Sequence, residues 1–252
     1  MTATGTTTAE PALLLVSHGS RDPRHAGTVR ALTGRIRSQR PGLTVVTAFL
    51  EFDTPGVAGA LEDLRRAGVG AAVAVPLLLT RAYHAKTDLP AALAGVSGPS
   101  VRQAAVLGGS ALLVRAVERR LFEAGLSPAD RATTGVVLSA AGSRDPEAIE
   151  SVGAAARELR RAGWLAVRPA FVTGPLPRPG DVVRDLRALG APRVAVAPYV
   201  LAPGLLPDRI AAEAASARAD VLSAPLGDAP ELARLVTRRW HEAHAVTNAS
   251  AV

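Results

Sequence analysis

The stretch LLLVSHGSRDP, Leu13–Pro23, decides the fold, because it returns further along the chain as VVLSAAGSRDP, Val136–Pro146. In both copies an apolar run ends in a Gly-Ser turn followed by Arg-Asp-Pro. The run has the length and composition of a strand buried on both faces. Asp-Pro fits a helix start, with Asp22 and Asp145 as N-caps and the proline at the first helical position. The turn itself keeps its glycine and serine, but His18 of the first copy has become Ala141 in the second.

Outward from these two stretches, short apolar runs alternate with segments of helical period. In the first half the runs are PALLLVS, GLTVVTAFL, AAVAVPLLL and VRQAAVLG. In the second they are GVVLSA, LAVRPAFV, RVAVAPYVL and ADVLSAP. Amphipathic segments between continuous apolar strands predict parallel sheets covered on both faces. The order therefore reads as an α/β protein of two tandem doubly wound domains, an internal duplication, each a four-stranded parallel sheet flanked by helices. The expected boundary separates residues 1–128, carrying the active-site residues, from residues 129–252, a degenerate repeat. Sheets of this kind bind ligands in the crevice at the carboxyl ends of their strands.

The 252 residues carry a net charge of +7, almost all of it from arginine, with Lys86 the sole lysine. Aromatic residues are only 3% and no dense basic run occurs, which argues against nucleic acid. No apolar stretch reaches the roughly 20 residues of a membrane helix, and the opening lacks the pattern of a signal peptide. The expectation is a soluble, cytoplasmic protein. Without cysteine, any metal must be held by imidazole, carboxylate or backbone oxygen.

On the strand-end rim of the first half the pattern places His18 after the first strand, Glu51 after the second and His84 after the third. Two imidazoles and a carboxylate suit a divalent first-row metal, and each group can also move a proton near neutral pH. Aligning the halves pairs these residues with Ala141, Thr173 and Leu206, while Gly19, Ser20, Arg21, Asp22 and Pro23 recur as Gly142 to Pro146. One polar site facing a degenerate partner domain explains all three differences together. The amides of Gly19 and Ser20 are expected to face the crevice, ready for an anion. His25, one turn into the first helix, reads as a helix-surface residue. His241 and His244 read as exposed, and Trp164, Trp240 and Tyr199 as packing residues.

LLLVSHGSRDPR, AFLEFDTPGVAGAL and VPLLLTRAYHAKTDLP resemble the landmark segments of the sirohydrochlorin chelatases, a class II chelatase group whose long members are fused duplications. The resemblance covers nearly the whole chain. It implies a chelatase-like fold and the insertion of iron or cobalt into sirohydrochlorin on the way to siroheme or cobalamin. It also implies metal-binding and proton-accepting roles for His18 and His84, and Glu51 as the acidic site residue. No permanently bound cofactor is implied; Fe2+ or Co2+ enters as a substrate. The lack of a histidine-rich region or iron–sulfur extension leans toward iron, although Ni2+ also stays open. The implied macrocycle bears eight carboxylates, and Ser20, Arg21, Arg24, Arg81 and Lys86 lie close enough in sequence to the rim to meet them. Arg144 and Arg209 are placed to do so from the second half. A monomer is expected, since the duplication supplies both walls of the cleft.

Two other readings use the same residues. A non-catalytic metal or tetrapyrrole carrier would need the rim ligands but no proton acceptor. A phosphate-ester hydrolase would use the SHGS turn, but no second arginine-histidine set converges on it.

Overall fold

The structure is a computed structural model that describes residues 10–80, 87–94, 98–174 and 176–249. Two four-stranded sheets, all of whose pairings are parallel, follow one another along the chain. The first has the order β2-β1-β3-β4, built from β1 (Ala12–Ser17), β2 (Val45–Phe49), β3 (Ala71–Pro76) and β4 (Ser100–Gln103). The second repeats it as β6-β5-β7-β8, from β5 (Thr134–Ala140), β6 (Ala166–Phe171), β7 (Arg193–Pro198) and β8 (Val221–Leu222). Between them run α1 (Pro23–Gln39), α2 (Val57–Arg66), α3 (Leu89–Ala94) and α4 (Ala111–Glu123), then α5 (Pro146–Arg161), α6 (Pro179–Ala188), α7 (Leu205–Ser216) and α8 (Pro230–Ala249). The two α/β sheets expected from the apolar runs are present. β4 is shorter than its run, because Ala104–Gly108 leaves the sheet as loop.

Both strand-to-helix turns close as their sequences require. The Asp22 carboxylate accepts from the Arg24 amide and the Asp145 carboxylate from the Glu147 amide, with proline at the start of each helix. Gly19 and Gly142 have φ of 94° and 103°. A Cβ at either would collide with a backbone carbonyl, that of Glu51 in one half and Thr173 in the other.

Side chains alternate along each strand between two faces. Leu14, Val16, Ala72 and Ala74 pack outward beneath α2 and α3, and Val137, Val194 and Val196 pack beneath α6 and α7. The opposite faces, with Leu13, Leu15, Val73 and Val75 in one half and Val136, Leu138 and Ala195 in the other, belong to one continuous core.

The halves share that core because they exchange their last helices. α4 packs against β7 and α5 of the second half, and α8 packs against β3 and α1 of the first. Trp240 on α8 is fully buried and donates its indole N–H to the Pro11 carbonyl at 3.1 Å. Arg120 on α4 donates to the Leu226 carbonyl before α8, and Arg239 on α8 donates to the Val106 and Gly108 carbonyls before α4. A division at residue 128 therefore separates each sheet from one helix that covers it. Trp164 and Tyr199 are buried as expected, His241 is exposed and His244 half-buried.

Candidate metal and tetrapyrrole site

The register of β1 with β2 carries on past the strands. After Leu50 donates to the Ser17 carbonyl, Glu51 donates its amide to the His18 carbonyl at 2.9 Å. His18 and Glu51 thus sit side by side at the carboxyl end of the first sheet, His18 half-buried and Glu51 exposed. The second half repeats the bonding, Thr173 donating to Ala141 at 2.9 Å, without the imidazole or the carboxylate. His84, Arg81 and Lys86 lie outside the described residues. Among the described residues no three histidine or carboxylate side chains converge to hold a metal, so the pair His18 and Glu51 is the part of the expected set that the structure places together.

The Ser20 amide does not face the crevice. It donates to Asp53 Oδ2 at 3.0 Å, and the Ser20 hydroxyl accepts from the Asp22 amide at 3.1 Å. The anion expected at this turn is therefore a carboxylate of the chain itself. Arg24 is occupied as well: its Nη2 lies 2.6 Å from Asp22 Oδ2 and 2.6 Å from Asp208 Oδ2. The second contact ties the start of α1 to the start of α7 across the halves. Arg144 and Arg209 are exposed on the second half's rim.

His25 departs from the surface position expected of it. Its side chain is only 15% exposed, with Nδ1 4.0 Å from Asp53 Oδ2 and Nε2 3.3 Å from the Ser17 hydroxyl. Burial pushes the imidazole below the usual histidine range, against the pull of Asp53, and the nearby His18 adds to the lowering. The signal was present in the helix period: His25 opens the i, i+4, i+7, i+11 stripe continued by Val29, Leu32 and Ile36, all buried. Ser17, His25 and Asp53 align with Ala140, Ala148 and Pro175, so this supporting group, like His18 and Glu51, is confined to the first half.

Phe52, between Glu51 and Asp53, is 56% exposed. Its ring stacks on the His18 imidazole at 6.3 Å between centroids and 21° between planes, and the Arg21 guanidinium lies over it at 5.4 Å. The two rims open onto a common cleft. A cavity of about 200 Å³ is lined by Leu77, Leu79 and Thr80 after β3 and by Ala141, Ser143 and Tyr199 of the second half. Thr80 is the last described residue before the segment that carries His84. Among the described residues, no helix is long and apolar enough to cross a membrane.

The CbiX family model matches the chain twice, over residues 12–124 and 135–243. The chain is 32% identical over 209 residues to a sirohydrochlorin cobaltochelatase of Priestia megaterium, a match covering 79% of this chain and 66% of that protein, just under two thirds of its length. It is 29% identical over 240 residues to the sirohydrochlorin ferrochelatase of Bacillus subtilis, over 92% of this chain and 91% of that one. The structure of SirB from Bacillus subtilis with Fe3+ superposes with a TM-score of 0.83 at 25% identity, covering 95% of this chain and 98% of SirB.

Proposed function

The chain belongs to the CbiX family, the sirohydrochlorin chelatases, and from that premise we propose that it inserts a divalent metal into sirohydrochlorin at the first half's strand ends. The observation that carries this reading is the confinement of His18 and Glu51 to one of two turns that share the Gly-Ser-Arg-Asp-Pro sequence, joined by the bond from the Glu51 amide to the His18 carbonyl. In this reading His18 and His84 hold the incoming ion through imidazole nitrogens, the ordinary ligands of such metals in a site without thiolates. Two pyrrole N–H protons leave as two nitrogen–metal bonds form. The exposed Glu51 carboxylate accepts a proton and hands it to solvent, and a histidine released from the metal takes the other.

Arg21 on the first rim, with Arg81 and Lys86 in sequence beside His84, meets the substrate carboxylates, and Arg144 and Arg209 meet them from the second half. Arg24, held between two carboxylates, serves the junction of the halves instead. Iron is the metal we place first, as in the ferrochelatase that this chain matches end to end, over 92% of this chain and 91% of that one, although the cobaltochelatase is the more identical over its shorter match, 32% against 29%. No resident cofactor takes part; the ion is a substrate.

The test is an anaerobic absorbance assay of sirohydrochlorin with Fe2+, Co2+ and Ni2+ in parallel, at enzyme concentrations far below substrate. Many turnovers per chain are expected, fastest with Fe2+. A single stoichiometric transfer would make the protein a carrier, and faster turnover with Co2+ would overturn the choice of iron.

A further inference from the structure

We propose that Phe52 is a substrate-positioning platform on which one face of the flat, conjugated macrocycle rests beside His18; the assignment depends on the chelatase reading. Three observations lead to it. The first is backbone strain. Phe52 has φ of 64°, a region that bulky side chains avoid, and its counterpart Gly174 holds φ of 72° with the one residue that adopts it freely. The second half therefore shows that this turn forms without a side chain here. In the first half a large ring occupies the same strained position, which is where non-glycine residues at positive φ tend to mark functional sites.

The second observation is that the ring gains little for the fold in return. It stands 56% exposed, outside the buried core clusters. The third is its company. The ring lies nearly parallel to the His18 imidazole on the rim and beneath the Arg21 guanidinium. An aromatic face, an imidazole and a cation for a peripheral carboxylate are thereby brought together from the adjacent loops after β1 and β2. These are complementary to the π-surface, the central nitrogens and the edge of a polycarboxylate tetrapyrrole. Leu176 and Leu205, also strongly exposed, stand on the strand-end side of the second half.

Metal-free sirohydrochlorin is titrated against the wild-type chain, Phe52→Gly, Phe52→Leu and Phe52→Tyr, and Co2+ alone is titrated in parallel. An aromatic contact of ordinary strength predicts roughly two- to tenfold weaker tetrapyrrole binding for glycine and leucine. KM should rise with kcat nearly unchanged, and tyrosine should bind like wild type. Phe52→Gly should melt no lower than wild type, and its affinity for Co2+ should not change. Tetrapyrrole binding by Phe52→Gly as tight as wild type would overturn the platform. So would a parallel fall in Co2+ affinity, which would mean that Phe52 acts by orienting His18. Should the wild-type chain itself bind no sirohydrochlorin, the chelatase reading falls and takes the platform with it; normal wild-type turnover alongside an unaffected Phe52→Gly removes the platform alone.

Discussion

Glu51 is bonded to His18 through the backbone at 2.9 Å, and Thr173 is bonded to Ala141 at the same distance in the other half. The geometry that brings the two positions together is therefore a property of the scaffold, and the halves differ in the side chains placed on it. Glu51 is exposed, so Glu51→Gln should fold normally while turnover falls roughly 100-fold or more, the usual contribution of a positioned proton acceptor. His18→Ala should abolish turnover with little loss of melting temperature. Ala141→His should add none, because its neighbour Thr173 is no carboxylate. Wild-type turnover by Glu51→Gln when metal is limiting would remove Glu51 from the proton path.

The paired glycines allow a controlled comparison. Gly19→Ala and Gly142→Ala each place a methyl group at positive φ against a neighbouring carbonyl. Each should cost roughly 2–3 kcal/mol of stability. Only Gly19→Ala should also reduce turnover, since its clash is with the Glu51 backbone. Denaturant melts combined with the chelation assay check both halves of this expectation. Equal loss of activity in the two variants would mean that both turns take part in the chemistry.

Asp53 holds the His18 turn from below by accepting the Ser20 amide and facing His25. Asp53→Ala leaves that amide to water or to nothing, at a cost of about 1 kcal/mol. It also loosens the loop that aims His18, so kcat/KM should fall roughly tenfold or more. Asp53→Asn keeps an acceptor oxygen and should lie between. Activity unchanged in Asp53→Ala would show that the turn keeps its shape without the carboxylate.

Much of this arrangement was legible in the chain before folding. The apolar runs and Asp-Pro starts are local signals, and β1, β5, α1 and α5 formed where those signals lie. Placing His18 beside Glu51 needed only the rule that parallel strands end on one rim. What local pattern did not reveal depends on contacts distant in sequence. The exchange of α4 and α8 is carried by apolar stripes that suit either sheet equally well. The engagement of the Ser20 amide by Asp53 spans 33 positions and competes with the general expectation of an open helix N-terminus. His25 was missed because a single histidine looks polar even where it opens a buried stripe.

Glu231 at the start of α8 ties the exchanged helices together. Its carboxylate is buried and accepts from Arg119 Nε and Nη2 on α4 at 2.9 and 2.7 Å. The Arg119 hydrogen bonds hold the Glu231 carboxyl below its ordinary range, against the effect of burial. A lowered folded-state pKa contributes stability above the unfolded value, near 4.5, and that contribution is lost as pH falls through the folded value. Glu231→Gln should thus be less stable than wild type at pH 7, by roughly 1–2 kcal/mol given that Arg119 is partly exposed. The difference should shrink as the pH drops below about 4.5. Melting curves of both proteins from pH 7 to pH 3 test the sign; a gap that widens toward acid would contradict it.

The shared core makes a stronger claim about the halves themselves. Residues 1–128 alone would lose Leu232, Leu235, Val236 and Trp240, all fully buried on α8, the helix that packs against β3 and α1. At roughly 1.5–3 kcal/mol for each large buried side chain, the loss is about 6–12 kcal/mol. That is comparable with the whole stability of an ordinary domain, roughly 5–15 kcal/mol. The isolated first half should therefore either unfold or pair with a second copy, whose α4 takes the place of α8. The full chain, which carries both helices, should sediment as a monomer. Circular dichroism and sedimentation equilibrium on the two chains decide the matter, and a folded, monomeric first half would show that the exchanged helix is dispensable to the sheet it covers.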